Sequence, residues 1–319
     1  MEKERPLSRL RKSDFFKPFL SFIIFFTAST ILDPQHFFTI YDQQVLAQQA
    51  SIYTILGMGE MIVILMGSID LSAAGIYGLA IMVAGYIYAY VTPSLILAIL
   101  IAIVTGALFG MFNGLIVAKG KIFSFVATLA TSLIADGAML FLTGGKSIYP
   151  LPAFSIFGRL VAGIPFSFLL ALLITLLLYF LLKFTAFGRY IYAIGGNEDA
   201  AYYSGVNISM IKILAFTIAG ITYSIAGIIT VGLLQSATPE ASAIGNLLLY
   251  AIAAAVLGGI ELTGGVGSPI GPLIGGYILV MISNILVLLN VNVYTQYMVT
   301  GILVILVTIS ISRGKRWVK

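Results

Sequence analysis

The side chains able to do chemistry in this 319-residue chain are few, and most fall inside apolar sequence. Glu60 lies within LGMGEMIVIL and Asp136 within TSLIADGAML, two carboxylates with no basic residue in the same run. Ionisable groups in such runs are costly and mark functional candidates by default. Either they line a proton or cation path, or they hydrogen-bond a Ser, Thr or Asn on a neighbouring helix. Two further acids belong to a repeated motif. Residues 66–72 read MGSIDLS and residues 257–263 read LGGIELT, an offset of 191 with like residue types at every position. A paired Gly-Ser or Gly-Gly interrupts a helix, and Asp70 with Ser72, or Glu261 with Thr263, can then cap the next helix. A broken helix that takes part in transport shows the same pattern.

Much chemistry is absent. The chain has one histidine, His36, and no cysteine, so a histidine-ligated metal, a Ser-His triad and thiolate chemistry are excluded. No catalytic residue and no metal site are expected. Gly145-Lys146-Ser147 resembles the end of a phosphate-binding loop, but that loop needs glycine at position 140, which is Leu140. The motif binds no nucleotide, and no cofactor is expected on this chain.

The elements that must hold these residues follow from composition. With 60% hydrophobic and 9% charged residues, the chain cannot cover a water-facing surface. No Asp, Glu, Lys or Arg occurs between Asp70 and Lys119, nor between Glu261 and Arg313. Hydropathy predicts an all-α, polytopic membrane helix bundle with about ten spans. They run over 15–32, 44–66, 71–91, 94–118, 122–142, 165–184, 213–235, 244–260, 268–289 and 293–312. Placing the N-terminus in the cytoplasm puts 15 basic residues inside and two, Lys146 and Arg159, outside. Both termini are then cytoplasmic, and both motif copies follow spans running inward, which makes the repeat parallel. The net charge of +5 reads as an orientation signal, with lipid as the surrounding partner and no nucleic acid. The whole chain, 1–319, is one transmembrane domain, with a basic N-terminus at 1–14, a cytoplasmic loop at 185–212 and a cytoplasmic C-terminus at 313–319. Gly106, Gly110 and Gly114, and likewise Gly267, Gly271 and Gly275, recur every four residues, as helix-packing seams do.

Several stretches resemble the ribose-type carbohydrate permeases, the membrane subunits of bacterial ATP-binding-cassette importers. They are FGRYIYAIGGNEDAAYYSGVNISMIKI (187–213), VILMGSIDLSAAG (63–75), NGLIVAKGKIFSFVATLATSLI (113–134) and AIAAAVLGGIELTGGVGSPIGPLIGG (251–276). The resemblance covers most of the chain in order. It implies import of a monosaccharide or similar small polar solute across the bacterial inner (plasma) membrane by alternating access. It also implies partners: a second permease subunit, identical or different, and an extracytoplasmic solute-binding protein. Two copies of a cytoplasmic ATP-binding subunit, or one tandem subunit, would carry ATP and Mg. The segment that docks on the ATPase would be Gly195, Gly196, Asn197, Glu198, Asp199, Ala200, Ala201 and Gly205, a short capped helix with acidic start and small residues. Asn113 joins Glu60, Asp70, Ser72, Asp136, Glu261 and Thr263 as a pathway or structural-switch candidate. Glu60 and Asp136 depart from the family pattern, which has an uncharged residue and an Arg there. The competing expectation is an ion-coupled secondary transporter that uses Glu60 and Asp136.

Overall fold

The computed structural model describes residues 16–239 and 247–312; the expected terminal segments 1–14 and 313–319 lie outside the described residues. The chain forms an all-α membrane bundle. Its helices are α1 (Phe16–Leu32), α2 (Ile40–Leu65), α3 (Ala73–Tyr86, extended by a π-turn at Ile87–Val91), α4 (Leu95–Gly120), α5 (Ser124–Thr143) and α6 (Phe166–Phe184). They continue with α7 (Ala186–Gly196), α8 (Glu198–Tyr203), α9 (Ile208–Leu234), α10 (Leu247–Leu257), α11 (Gly271–Leu288) and α12 (Val293–Ser312). Six of the described helices are long and apolar enough to cross a membrane: α3 with its π-turn, α4, α5, α6, α9 and α11.

Each segment expected to span contains a helix, but several boundaries differ for local reasons. Thr39 starts α2 at Ile40, ahead of the expected 44, because its hydroxyl accepts from the Asp42 N–H at 3.2 Å. Asn207 likewise starts α9 early, with its side-chain oxygen accepting from the Met210 N–H at 3.0 Å. Between α5 and α6 the chain makes a 3-10 turn at Pro152–Gly158. A two-residue antiparallel pair follows, β1 (Leu160–Val161) and β2 (Ile164–Pro165), a detail that hydropathy does not encode. In the turn after α1, the His36 imidazole hydrogen-bonds Asp33 Oδ1 at 2.9 Å and holds that carboxyl below its usual range.

Burial sorts the helices into a centre and a shell. From Thr54 to Leu65 every residue of α2 is buried, as for a helix packed on all sides within a bundle. Helices α9, α10 and α11 surround it, and α9 also packs on α3 and α4. Helix α4 instead buries a single stripe that includes Ala102, Gly106, Gly110, Asn113, Gly114 and Val117. The three glycines of this stripe face α9. A Cβ at Gly106 would fall on Ser224 Oγ and the Gly220 carbonyl, and one at Gly110 on the Phe216 carbonyl. At Gly114 it would lie 2.6 Å from the Ile213 Cα. Backbones approach this closely only where side chains are missing. In the second glycine series, Gly271 lies against Gly258 and Gly275 against Ala254, both contacts of α11 with the end of α10. Gly267 differs from the expectation. It precedes α11, with φ of 149°, and faces Ile260.

Gly110→Val is expected to destabilise the fold by about 1–3 kcal/mol through overpacking. It should appear as a lower midpoint of thermal unfolding in detergent. Gly137→Ala on α5, where nothing lies within 4 Å of the new Cβ, should leave that midpoint in place.

Candidate functional site

Four elements meet around two carboxylates. Helix α2 contributes Glu60, the break at 66–72 between α2 and α3 contributes Asp70 and Ser72, α9 contributes Tyr223, and α4 contributes Asn113. All five side chains are at 0% exposure. The Tyr223 hydroxyl donates to Glu60 Oε1 at 3.2 Å and also reaches Asp70. The Glu60 carboxyl also lies near the backbone N–H of Asp70. Asp70 Oδ1 accepts from the Ser72 N–H at 2.8 Å and from its hydroxyl at 2.5 Å. Asn113 Nδ2 donates to Ser72 Oγ at 2.7 Å. Glu60 Oε2, Asp70 Oδ2 and Asn113 Oδ1 have no hydrogen-bond partner among the described residues.

Local sequence explains why the chain comes together here. Gly59, next to Glu60, leaves room for Thr222 and the Tyr223 ring against the α2 backbone. The break is held from outside by α5, where Ser124 Oγ accepts from the Ile69 N–H at 3.1 Å and Thr128 Oγ1 from the Leu71 N–H at 2.8 Å. Broken backbone inside a membrane protein needs such partners. The expected capping role is corrected here. Ser72 sits at the N-cap of α3, but its side chain makes no cap bond and donates to Asp70 instead.

The second motif copy folds differently. The Glu261 N–H donates to the Val266 carbonyl at 3.0 Å, and the next helix starts only at Gly271. Glu261 and Thr263 therefore lie in a turn, and neither caps the start of α11, whose N-cap position is Ile270. The two copies nevertheless touch. The Gly265 N–H donates to the Leu65 carbonyl at 2.9 Å, and Gly264 packs on the Gly67 backbone. The C-terminal end of α7 lies across both: Gly195 abuts the Leu65 carbonyl and the Gly265 nitrogen, and the Tyr192 hydroxyl donates to the Gly267 carbonyl at 2.9 Å. Gly196 leads into α8, where Asn197 Oδ1 caps the helix by accepting from the Ala200 N–H at 2.9 Å. Ala201 is buried, Gly205 turns the chain away with φ of 84°, and Glu198 pairs with Lys212 Nζ at 2.7 Å. Asp199 and Ala200 are exposed, as are Tyr202 at 65% and Tyr203 at 86%.

Asp136 stands apart. It is half-buried on α5, and no hydrogen bond or ion pair joins it to another described residue. Among the described residues, no three His, Asp or Glu side chains are grouped to hold a metal ion. Tyr223 and the Leu65 carbonyl carried no local signal, since Tyr223 meets a residue 163 positions away and the carbonyl belongs to the backbone.

Residues 45–308 match the family described as branched-chain amino acid transport system / permease component. The chain is 40% identical over 303 residues to the ribose import permease protein RbsC of Bacillus subtilis (strain 168), covering 93% of this chain and 92% of that protein. It is 36% identical over 296 residues to the RbsC of Escherichia coli (strain K12), covering 91% of each. To the D-allose transport system permease protein AlsC of Escherichia coli (strain K12) it is 33% identical over 276 residues, covering 86% of this chain and 84% of that protein.

Tyr223→Phe leaves Glu60 Oε1 without its side-chain donor and is expected to cost about 1–3 kcal/mol of stability. A thermal-unfolding scan in detergent checks this, with Tyr203→Phe, on an exposed ring, expected to match wild type.

Proposed function

Because the chain belongs to this family of transport-system permease components, we propose that it is the transmembrane permease subunit of an ATP-driven importer of a monosaccharide or similar small polar solute. It is a multi-pass protein of the bacterial inner membrane, as its family and its six long apolar helices indicate. The sugar cargo is supported by relatives named for ribose and D-allose that align over most of their length. In this reading the chain is a single ten-span domain with a parallel repeat. Both termini are cytoplasmic, as the inward excess of basic residues favours. It pairs with a second permease subunit and receives solute from an extracytoplasmic binding protein. Two ATP-binding subunits, or one tandem subunit, dock on the cytoplasmic side, and ATP and Mg bind there.

The observation that carries the reading is the junction of α7 with the two motif copies. A force on the exposed face of α8 passes through the single Asn197 link to α7. Gly195 rests directly on the end of α2 and on the turn before α11. Movement of α8 would therefore displace both helix breaks together, which is the kind of rigid-body shift that alternates access. A second reading, ion-coupled secondary transport, draws support from the buried Glu60–Asp70 cluster. Uptake in vesicles separates the two. Dependence on an ATP-binding subunit and ATP supports the importer, whereas collapse by a protonophore with ATP retained supports the alternative.

Ala201→Arg is expected to abolish ATP-dependent sugar uptake in proteoliposomes while the protein still inserts, because the buried methyl site of α8 cannot take a guanidinium. Gly195→Val should do the same by lifting α7 from Leu65. Wild-type uptake in both variants would remove the coupling assignment.

A further inference from the structure

The ATP-driven importer reading makes no use of the pair Glu60 and Asp70. Their surroundings can be inventoried element by element. Helix α2 brings Glu60, the break brings Asp70 and Ser72, α9 brings Tyr223, and α4 brings the neutral Asn113. Helix α5 adds the hydroxyls of Ser124 and Thr128, which accept from the Ile69 and Leu71 N–H groups on either side of Asp70. Among the described residues, the ionisable groups acting on the pair are the two acids themselves and Tyr223; no Lys, Arg or His does so. Two negative charges within one network at 0% exposure repel strongly, since burial removes them from bulk solvent.

The hydrogen-bond count points the same way. Tyr223 has one O–H proton for two carboxylates. Glu60 Oε2 and Asp70 Oδ2 are left as acceptors without donors, and so is Asn113 Oδ1, a fully buried amide oxygen from a separate helix in the same chain of bonds. Native interiors rarely tolerate three such orphans in one place. One added O–H on a carboxyl would supply a donor and remove one negative charge together.

We propose that Glu60 and Asp70 form a carboxyl–carboxylate pair that holds a single proton in this conformation. The proton is taken from water when the break at 66–72 closes and returned to water when the break opens and separates the acids. It therefore latches the junction on which α7 rests. The latch role rests on the importer reading; the presence of the proton does not.

Infrared spectroscopy of the purified chain in detergent tests it. At neutral pH the wild type should show the C=O stretch of a protonated carboxyl that is slow to exchange in D2O. Glu60→Gln should lose that band, Asp70→Asn should shift it, and Asp136→Asn should keep it. No such band in wild type, or a band unmoved by both Glu60→Gln and Asp70→Asn, overturns the proposal. Thermal scans in sodium against choline chloride provide the other arm: stabilisation by sodium that Glu60→Gln abolishes would replace the proton with a metal cation and equally overturn it. The band tests the pair even if ATP-driven uptake fails, which would sink the importer reading alone.

Discussion

Hydrocarbon offers no hydrogen bonds, so every backbone N–H and C=O at membrane depth must find its partner within the protein. That constraint organises this molecule. Most of the described chain answers it by being helical. Where the helices stop, between α2 and α3 and again between α10 and α11, several freed groups find partners on other elements. The Ile69 and Leu71 N–H groups go to hydroxyls on α5, and the Leu65 carbonyl accepts from Gly265. The breaks are tolerable because they are wrapped, and they are wrapped by each other and by α7.

This wrapping explains why the small residues fall where they do. Glycines on α4 bring its backbone onto α9, and glycines on α11 bring it onto α10. Association of helices in lipid depends on such close packing rather than on a hydrophobic drive. Large apolar side chains turn outward on the shell helices, as with Leu133 and Phe141 on α5 or Leu176 and Phe180 on α6. The interior keeps large apolar side chains as well, Phe154, Phe216 and Ile55 among them, with the small residues concentrated where two helix backbones meet.

The long helices were legible in the sequence because each contains a predominantly apolar run with few charges, and the family was legible in the stretch from Phe187 to Ile213. The site was legible only in part. Glu60, Asp70 and Asn113 stand out as polar residues in apolar surroundings, but nothing near Tyr223 in sequence says that it meets Glu60. The two motif copies look equivalent on paper and fold differently. Ala73 begins a helix directly after Ser72, whereas Thr263 is followed by Gly264 and Gly265, both with positive φ, and the next helix starts only at Gly271, with Pro272 in its first turn. Side-chain capping also gave way at Ser72, whose hydroxyl oxygen accepts from Asn113 while its proton goes to Asp70.

The contact of Gly195 with Leu65 and Gly265 is made entirely of main-chain atoms. Such a contact has no rotamers to absorb a displacement, so it behaves as a stiff gear tooth rather than a cushion. It also asks almost nothing of sequence beyond the lack of a side chain at one position. Any side chain at that position would have to push the end of α2 and the turn before α11 away from α7.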